Sequence, residues 1–185
     1  QDMGVLVTLV AQVALVQSAL VNYGTKEQCQ TWLPELISGE KLACFAITEK
    51  GCGSDVRSIK TQVDRTDSGY ILNGKKWNIT NAPVADICMT FGKVVGKQEK
   101  SIACFIFNTH SEGIEQSKPF DLMGNRGTPI GSIDFENVAL TNENRIGQEE
   151  EGLSVLYFSF LVERVLTGIL VSGCIAPLIQ ESVAY

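Results

Sequence analysis

Six short runs rich in β-branched and aromatic residues recur between positions 42 and 138, at residues 43–48, 60–65, 70–80, 86–94, 102–107 and 132–138, each bounded by Gly, Asn or Asp. No amphipathic helical stretch separates them, so nothing supplies the crossovers that a doubly wound parallel sheet requires. The pattern predicts an antiparallel sandwich or barrel. Asn73-Gly74, set between Ile71-Leu72 and Lys75-Lys76, predicts a two-residue hairpin turn inside the third run.

Helical texture flanks this region. Residues 5–21 are strongly apolar, interrupted by Gln12 and Gln17, and stop at Asn22-Tyr23-Gly24. The stretch falls short of the ~20 residues that cross a bilayer and no basic segment precedes it, so it is expected to be a buried core helix, with no membrane span and no targeting signal. Thr25-Lys26-Glu27-Gln28 has the form of a capping box opening a helix to about Ile37, bent or broken at Pro34 and closed by Gly39. After Glu149-Glu150-Glu151, acids that suit the positive end of a helix, a second helical texture runs from Leu153 to the C-terminus, with Pro177 expected to kink or end it. The expected class is α+β, in three parts: helical residues 1–41, a β domain over 42–147 and a helix over 148–185.

Hydrophobic residues make up 44% and charged residues 19%, enough for a core and too apolar for disorder. Lys+Arg 15 against Asp+Glu 21 gives a net charge of −6 without a basic run, which sets nucleic-acid binding aside. The single histidine, His110, lies in a polar stretch read as a solvated turn, which argues against a His-based zinc site and a Ser-His-Asp triad. No metal site is expected. The six cysteines form no CxxC pair and read as reduced, mostly buried thiols of an intracellular protein. Residues 93–100 read as a polar hairpin loop.

Thr48-Glu49-Lys50-Gly51-Cys52-Gly53-Ser54-Asp55 is the glycine-rich segment. It lacks the Gly-Lys-Ser/Thr of a P-loop and has Val56 where a third dinucleotide-binding glycine would stand. Two readings remain from the pattern: a surface turn, or a loop whose bare backbone and hydroxyls approach a ligand. Cys52 reads as a packing residue.

Phe45-Ala46-Ile47-Thr48-Glu49-Lys50-Gly51-Cys52-Gly53-Ser54-Asp55-Val56 resembles the aromatic-x-x-TEPGAGSD signature of the acyl-CoA dehydrogenase family. Tyr70 to Asn81 resembles that family's G-x-x-LNG-x-K-x-WITN stretch, Met123-Gly124-Asn125-Arg126-Gly127 its M-G-x-R-G, and Phe135-Glu136-Asn137-Val138 its FE-x-V. Tyr23 to Gln28, Leu33-Pro34, Ser38-Gly39-Glu40, Gly152-Leu153 and Glu163-Arg164 extend the likeness along the whole chain.

The resemblance implies FAD between the β domain and the C-terminal helices. Phe45, Ile47, Thr48, Gly53 and Ser54 would line it, Thr48 on the pyrimidine side, while Asn78, Ile79 and Thr80 flank the ring system. It implies α,β-dehydrogenation of an acyl thioester, with a carboxylate taking the α-proton and the β-hydride passing to flavin N5. Some relatives place that base just before an arginine in the helix after the β domain, which here is Glu163 beside Arg164. Glu163 is then the catalytic base, or an ordinary glutamate on an exposed stripe. Ser54, Leu161 and Arg164 would meet the substrate.

Three departures stand out. Leu161 replaces an aspartate frequent where CoA is gripped, which opens the alternative of an acyl or aminoacyl group on a carrier protein. Asn78 replaces the usual tryptophan, with Trp77 one place earlier, a shift that reverses the face on a regular strand. Lys50 replaces a proline, which should loosen the loop. The implied partners are an electron-transfer flavoprotein or oxygen as acceptor, in a homotetramer or homodimer, in bacterial cytoplasm or the mitochondrial matrix. A reading of another class is a non-catalytic fragment or a binding or assembly module.

Overall fold

The N-terminal apolar segment forms one helix, α1 (Met3–Tyr23), that widens into a π-helical stretch over Ala11–Gln17; the computed structural model describes residues 3–96 and 101–185. α1 has two faces rather than the all-round burial expected from its composition. Ala14, Val16, Ala19 and Leu20 are fully enclosed, whereas Val5, Leu9, Val13 and Val21 are 46–64% exposed, because the β layer covers one side only. At 21 residues, α1 is also longer than the apolar run and long and apolar enough to cross a bilayer by length and composition alone.

The glutamines that interrupt the run are fasteners. Buried Gln12 donates to the Leu36 carbonyl (2.8 Å) and accepts from the Ala43 N–H (2.9 Å), and Gln17 also donates to Leu36 (3.1 Å). α2 (Lys26–Ser38) opens on the expected capping box, with Thr25 N–H on Gln28 Oε1 at 2.8 Å and Gln28 N–H on Thr25 Oγ1 at 3.2 Å. It continues through Pro34, and Gly39 closes it at φ 77°.

The strands are β1 (Ala43–Ala46), β2 (Gln62–Thr66), β3 (Gly69–Thr80), β4 (Ile87–Val94), β5 (Ile102–Asn108), β6 (Ile114–Gln116), β7 (Ile130–Leu140) and β8 (Arg145–Ile146). They form one sheet in the order β6-β7-β3-β2-β4-β5-β8, with β1 also on β4. Most pairs are antiparallel; β1 and β2 run parallel to β4 and share one edge of it, β1 along Ile87 to Thr90 and β2 along Lys93 and Val94. β6 and β8, three and two residues long, are too short to show a period in the sequence. Lys93 and Val94 belong to β4, and residues 97–100 of the expected polar loop lie outside the described residues.

Asn73-Gly74 does not turn the chain. It sits mid-strand at a register shift between Leu72 and Gly74, and the hairpin turn is Asp67-Ser68, between the paired residues Thr66 and Gly69. The cause is a close approach: a Cβ on Gly74 would stand 2.5 Å from Thr61 Oγ1, and Asn73 Oδ1 accepts the Asn137 N–H at 2.7 Å. The glycine permits a bulge rather than a reversal.

Alternation along the strands builds two cores. Ala43, Phe45 and Ile47, with Ile87, Met89 and Phe91, pack toward the helices against Val16, Leu20 and Leu156. Cys44 and Ala46, with Cys88, Phe105 and Ile133, fill the interior of the β layer. α3 (Gly152–Ala184) then crosses the helix-facing side. It starts where a Cβ on Gly152 would stand 2.2 Å from the Ile102 carbonyl oxygen, and it runs on through Pro177. Of the acids before it, Glu149 forms a two-point ion pair with Arg65, and Glu151 accepts the Gln148 N–H at 2.7 Å. Both therefore serve local contacts as well as the helix end.

Candidate active site

Phe45 on β1 and Ile47 just past its end face the helices because the chain alternates there, and Phe45 meets Phe91 (ring centroids 5.0 Å) and Phe160 of α3 (6.3 Å). Beside them the end of β3 runs in the opposite sense. Asn81 Nδ2 donates to the Ala43 carbonyl (3.0 Å), Lys76 Nζ to the Ile47 carbonyl (3.2 Å) and Trp77 N–H to the Thr48 carbonyl (2.8 Å). These bonds bring the two motif segments, 45–49 and 76–81, side by side although ~30 residues of chain separate them.

The shared centre of this junction is an ion pair that the sequence reading did not single out. Lys76 is fully buried, and its Nζ lies 2.9 Å from Glu49 Oε1. Glu49 also accepts the Thr61 N–H (3.0 Å), the Thr61 hydroxyl (2.6 Å) and the Lys60 N–H (2.6 Å). Burial pushes the Glu49 carboxyl up, but the Lys76 ammonium, the Thr61 hydroxyl and the Lys60 N–H outweigh it, and the group lies below the ordinary carboxylate value. Burial pulls Lys76 down, against the opposing pull of Glu49. The signal available in sequence was parity: Lys76 shares the inward side of β3 with Leu72, where a lysine needs a partner.

The glycine loop hangs from this pair. Glu49 and Cys52 exchange backbone hydrogen bonds at 2.9 and 3.0 Å, and the Cys52 thiol reaches the Asp55 carbonyl at 2.7 Å. Cys52 is buried against the helix-facing core, its thiol pushed up by burial and by the Glu49 and Asp55 charges, which bears out packing over reactivity. Gly53 and Ser54 lie exposed on the outside of the loop. Among the described residues, chain neighbours aside, no atom stands within 4 Å of a Cβ placed on Gly51 or Gly53, so the backbone there is open. Lys50 holds its ammonium 5.3 Å over the Trp77 ring, a restraint in place of the proline's.

Asn78 answers the question of face. It adopts φ 55° at a second register shift, between Lys76 and Ile79. The bulge absorbs the one-residue offset: Trp77 packs on Phe120 at 4.7 Å, Asn78 is exposed, and the Ile79 side chain turns into the β interior. Of the three residues expected to flank the flavin ring, Ile79 therefore does not share the face of Phe45 and Ile47, and Thr80 is half-buried.

Glu163 lies half-buried on the side of α3 that continues Val155, Leu156, Ser159 and Phe160, one turn beyond the ring that touches Phe45. Its Oε1 accepts the Thr167 hydroxyl at 2.7 Å. Leu161, 63% exposed, and Arg164 face outward, the Arg164 guanidinium 6.0 Å over the Phe160 ring. Leu161 does not share the side of Glu163, whereas Arg164 reaches back over Phe160, which does. A cleft of about 700 Å³ between Tyr23–Trp32 and Thr141–Gln148 touches none of these residues.

The hydroxyls of Thr48, Ser54 and Thr80 make no hydrogen bond among the described residues. Apolar Phe45, Ile47 and Phe160, which pack together, and the hydroxyls of Thr48, Ser54 and Thr80 are the side-chain types that a flat heteroaromatic ring with a polar edge, such as a flavin, requires.

Residues 44–138 match the family profile described as acyl-CoA dehydrogenase, middle domain, and residues 1–40 match the acyl-CoA dehydrogenase N-terminal domain. The chain is 39% identical over 148 residues to a mitochondrial 2-methylacyl-CoA dehydrogenase of Solanum tuberosum, covering 80% of this chain and 36% of that protein. It superposes on PigA with FAD and proline at TM-score 0.97 and 26% identity, covering all of this chain and 49% of that one. It superposes on the prolyl acyl carrier protein oxidase AnaB at TM-score 0.84 and 31% identity, covering 89% of this chain and 44% of that one. The chain thus spans less than half the length of these relatives.

Proposed function

The chain belongs to the acyl-CoA dehydrogenase family, and from that premise we propose that the protein built on it catalyses FAD-dependent α,β-dehydrogenation of an acyl thioester. FAD, when bound, supplies the acceptor for the β-hydride. Thr48, Thr80 and the loop backbone hydrogen-bond its polar edge, Phe45 and Ile47 form the apolar wall, and Gly53 and Ser54 meet the edge nearer the substrate. Asn78 and the main chain of Ile79 complete the border. Glu163 takes the α-proton, while Ser54, Leu161 and Arg164 contact the thioester's carrier. In this reading the helical residues 1–41 and 148–185 close over the β domain of 42–147.

The observation that carries the reading is the position of Glu163, one turn past Phe160 on the half-buried side of α3. A carboxylate there works as a base when a bound substrate excludes water around it. Glu163→Gln should lower turnover at least ~100-fold while leaving FAD binding intact. Turnover within about threefold of wild type would remove Glu163 from the chemistry.

A second reading, an acyl or aminoacyl group on a carrier protein, draws support from Leu161, an exposed apolar residue where a CoA-gripping aspartate is frequent. Superposition on the prolyl acyl carrier protein oxidase AnaB favours the same reading. Anaerobic titration of the flavin absorbance separates the two: bleaching by acyl-CoA supports the first, and bleaching only by a carrier-linked substrate supports the second. A protein that takes up no flavin would point to the non-catalytic, assembly-module reading. We place it inside the cell, in bacterial cytoplasm or mitochondrial matrix, since all six cysteines are free thiols. An electron-transfer flavoprotein or oxygen is the proposed acceptor, in a homodimer or homotetramer.

A further inference from the structure

On helices in this protein a Ser or Thr hydroxyl repeatedly takes one acceptor, the backbone carbonyl four residues earlier. Thr31 donates to the Glu27 carbonyl (2.8 Å), Ser159 to Val155 (3.0 Å), Ser172 to Gly168 (2.9 Å) and Ser182 to Leu178 (2.7 Å). Thr167 departs from that habit and donates to the side-chain carboxylate of Glu163 at 2.7 Å. The comparison with Thr31 is internal, since it too follows a glutamate by four residues, yet it leaves the Glu27 carboxylate alone. Spacing by itself therefore does not produce the Thr167 contact.

We infer that Thr167 is a positioning residue that holds the Glu163 carboxylate in one orientation on the half-buried side of α3. This rests on the reading of Glu163 as the base. Phe160 occupies the same side one turn earlier, and among the described residues no cation pairs with Glu163, so the hydroxyl is its directional restraint. A carboxylate on two methylenes otherwise samples several rotamers, and a proton is taken only from the one that faces the α-carbon. In a helix a threonine χ1 is confined to two main wells, so once its hydroxyl has turned from the backbone carbonyl to the carboxylate it has few other positions to take.

The test uses the flavin-loaded protein and three variants. Thr167→Val keeps the shape and removes the hydroxyl, Thr167→Ser keeps the hydroxyl, and Glu163→Gln removes the acid. Thr167→Val should lower kcat about three- to tenfold with KM for the thioester unchanged within twofold, and Thr167→Ser should restore it. In crystals of the variants the Glu163 carboxylate should hold one position in wild type and Thr167→Ser and spread over several in Thr167→Val, a readout independent of turnover. If Glu163→Gln abolishes turnover while Thr167→Val changes neither kcat nor the carboxylate's position, the positioning role falls and the base assignment stands. If Glu163→Gln turns over like wild type, both fall together.

Discussion

At the scale of single residues the Glu49–Lys76 pair decides more than any other contact near the site. Glu49 keeps three hydrogen bonds from Thr61 and Lys60 if Lys76 is removed, whereas Lys76 without Glu49 keeps only the Ile47 carbonyl. Glu49→Gln should therefore destabilise the fold by about 3 kcal/mol and Lys76→Met by less, as read from urea midpoints. The reverse order would mean that the ammonium, not the carboxylate, anchors the loop. The pH dependence follows from the lowered carboxyl value. Its stabilisation is whole above the unfolded carboxyl's value and is lost as pH falls through the lower folded value, so Glu49→Gln should flatten that acid limb. In the sequence Glu49 and Lys76 were visible only as members of two motifs. Their pairing spans 27 positions and depends on β1 and β3 lying together, which no local pattern encodes.

At the scale of elements, α2 was legible from four residues, because a capping box is closed by neighbours in sequence. The strands were legible as runs, but their irregularities were not. Asn73-Gly74 reads as a turn until Thr61 and Asn137 are brought against it, and Asn78 reads as a face reversal until its positive φ absorbs the offset. Both bulges should thus be sensitive where ordinary strand positions are not. Gly74→Ala should lower stability by about 1–3 kcal/mol through collision with Thr61. Asn78→Val, a β-branched residue at φ 55°, should cost about 1–2 kcal/mol. Thermal unfolding of the two variants checks this, and a Gly74→Ala protein as stable as wild type would mean that Thr61 moves aside freely.

At the scale of the whole molecule, one side of the structure is unusually apolar. Leu161, Val165, Ile169, Leu178, Ile179 and Val183 along α3 are all more than half exposed. A patch of that kind on an isolated chain drives association. Sedimentation of the 185-residue chain should show self-association that weakens when Ile169 and Ile179 are replaced by Lys, and a monomer at high concentration would contradict it. The sequence announced these residues as apolar but, with a helix hydrophobic on all sides, gave no sign of which side the strands would cover.

β1 is only four residues long, yet each of its side chains belongs to one core or the other: Ala43 and Phe45 to the helix side, Cys44 and Ala46 to the β interior. It works as a bulkhead. Substitutions at its odd positions reshape the wall proposed for the ring system without opening the interior behind, and those at its even positions alter the interior without touching that wall. A protein divided in this way can retune the chemistry on one side while the scaffold on the other keeps its shape.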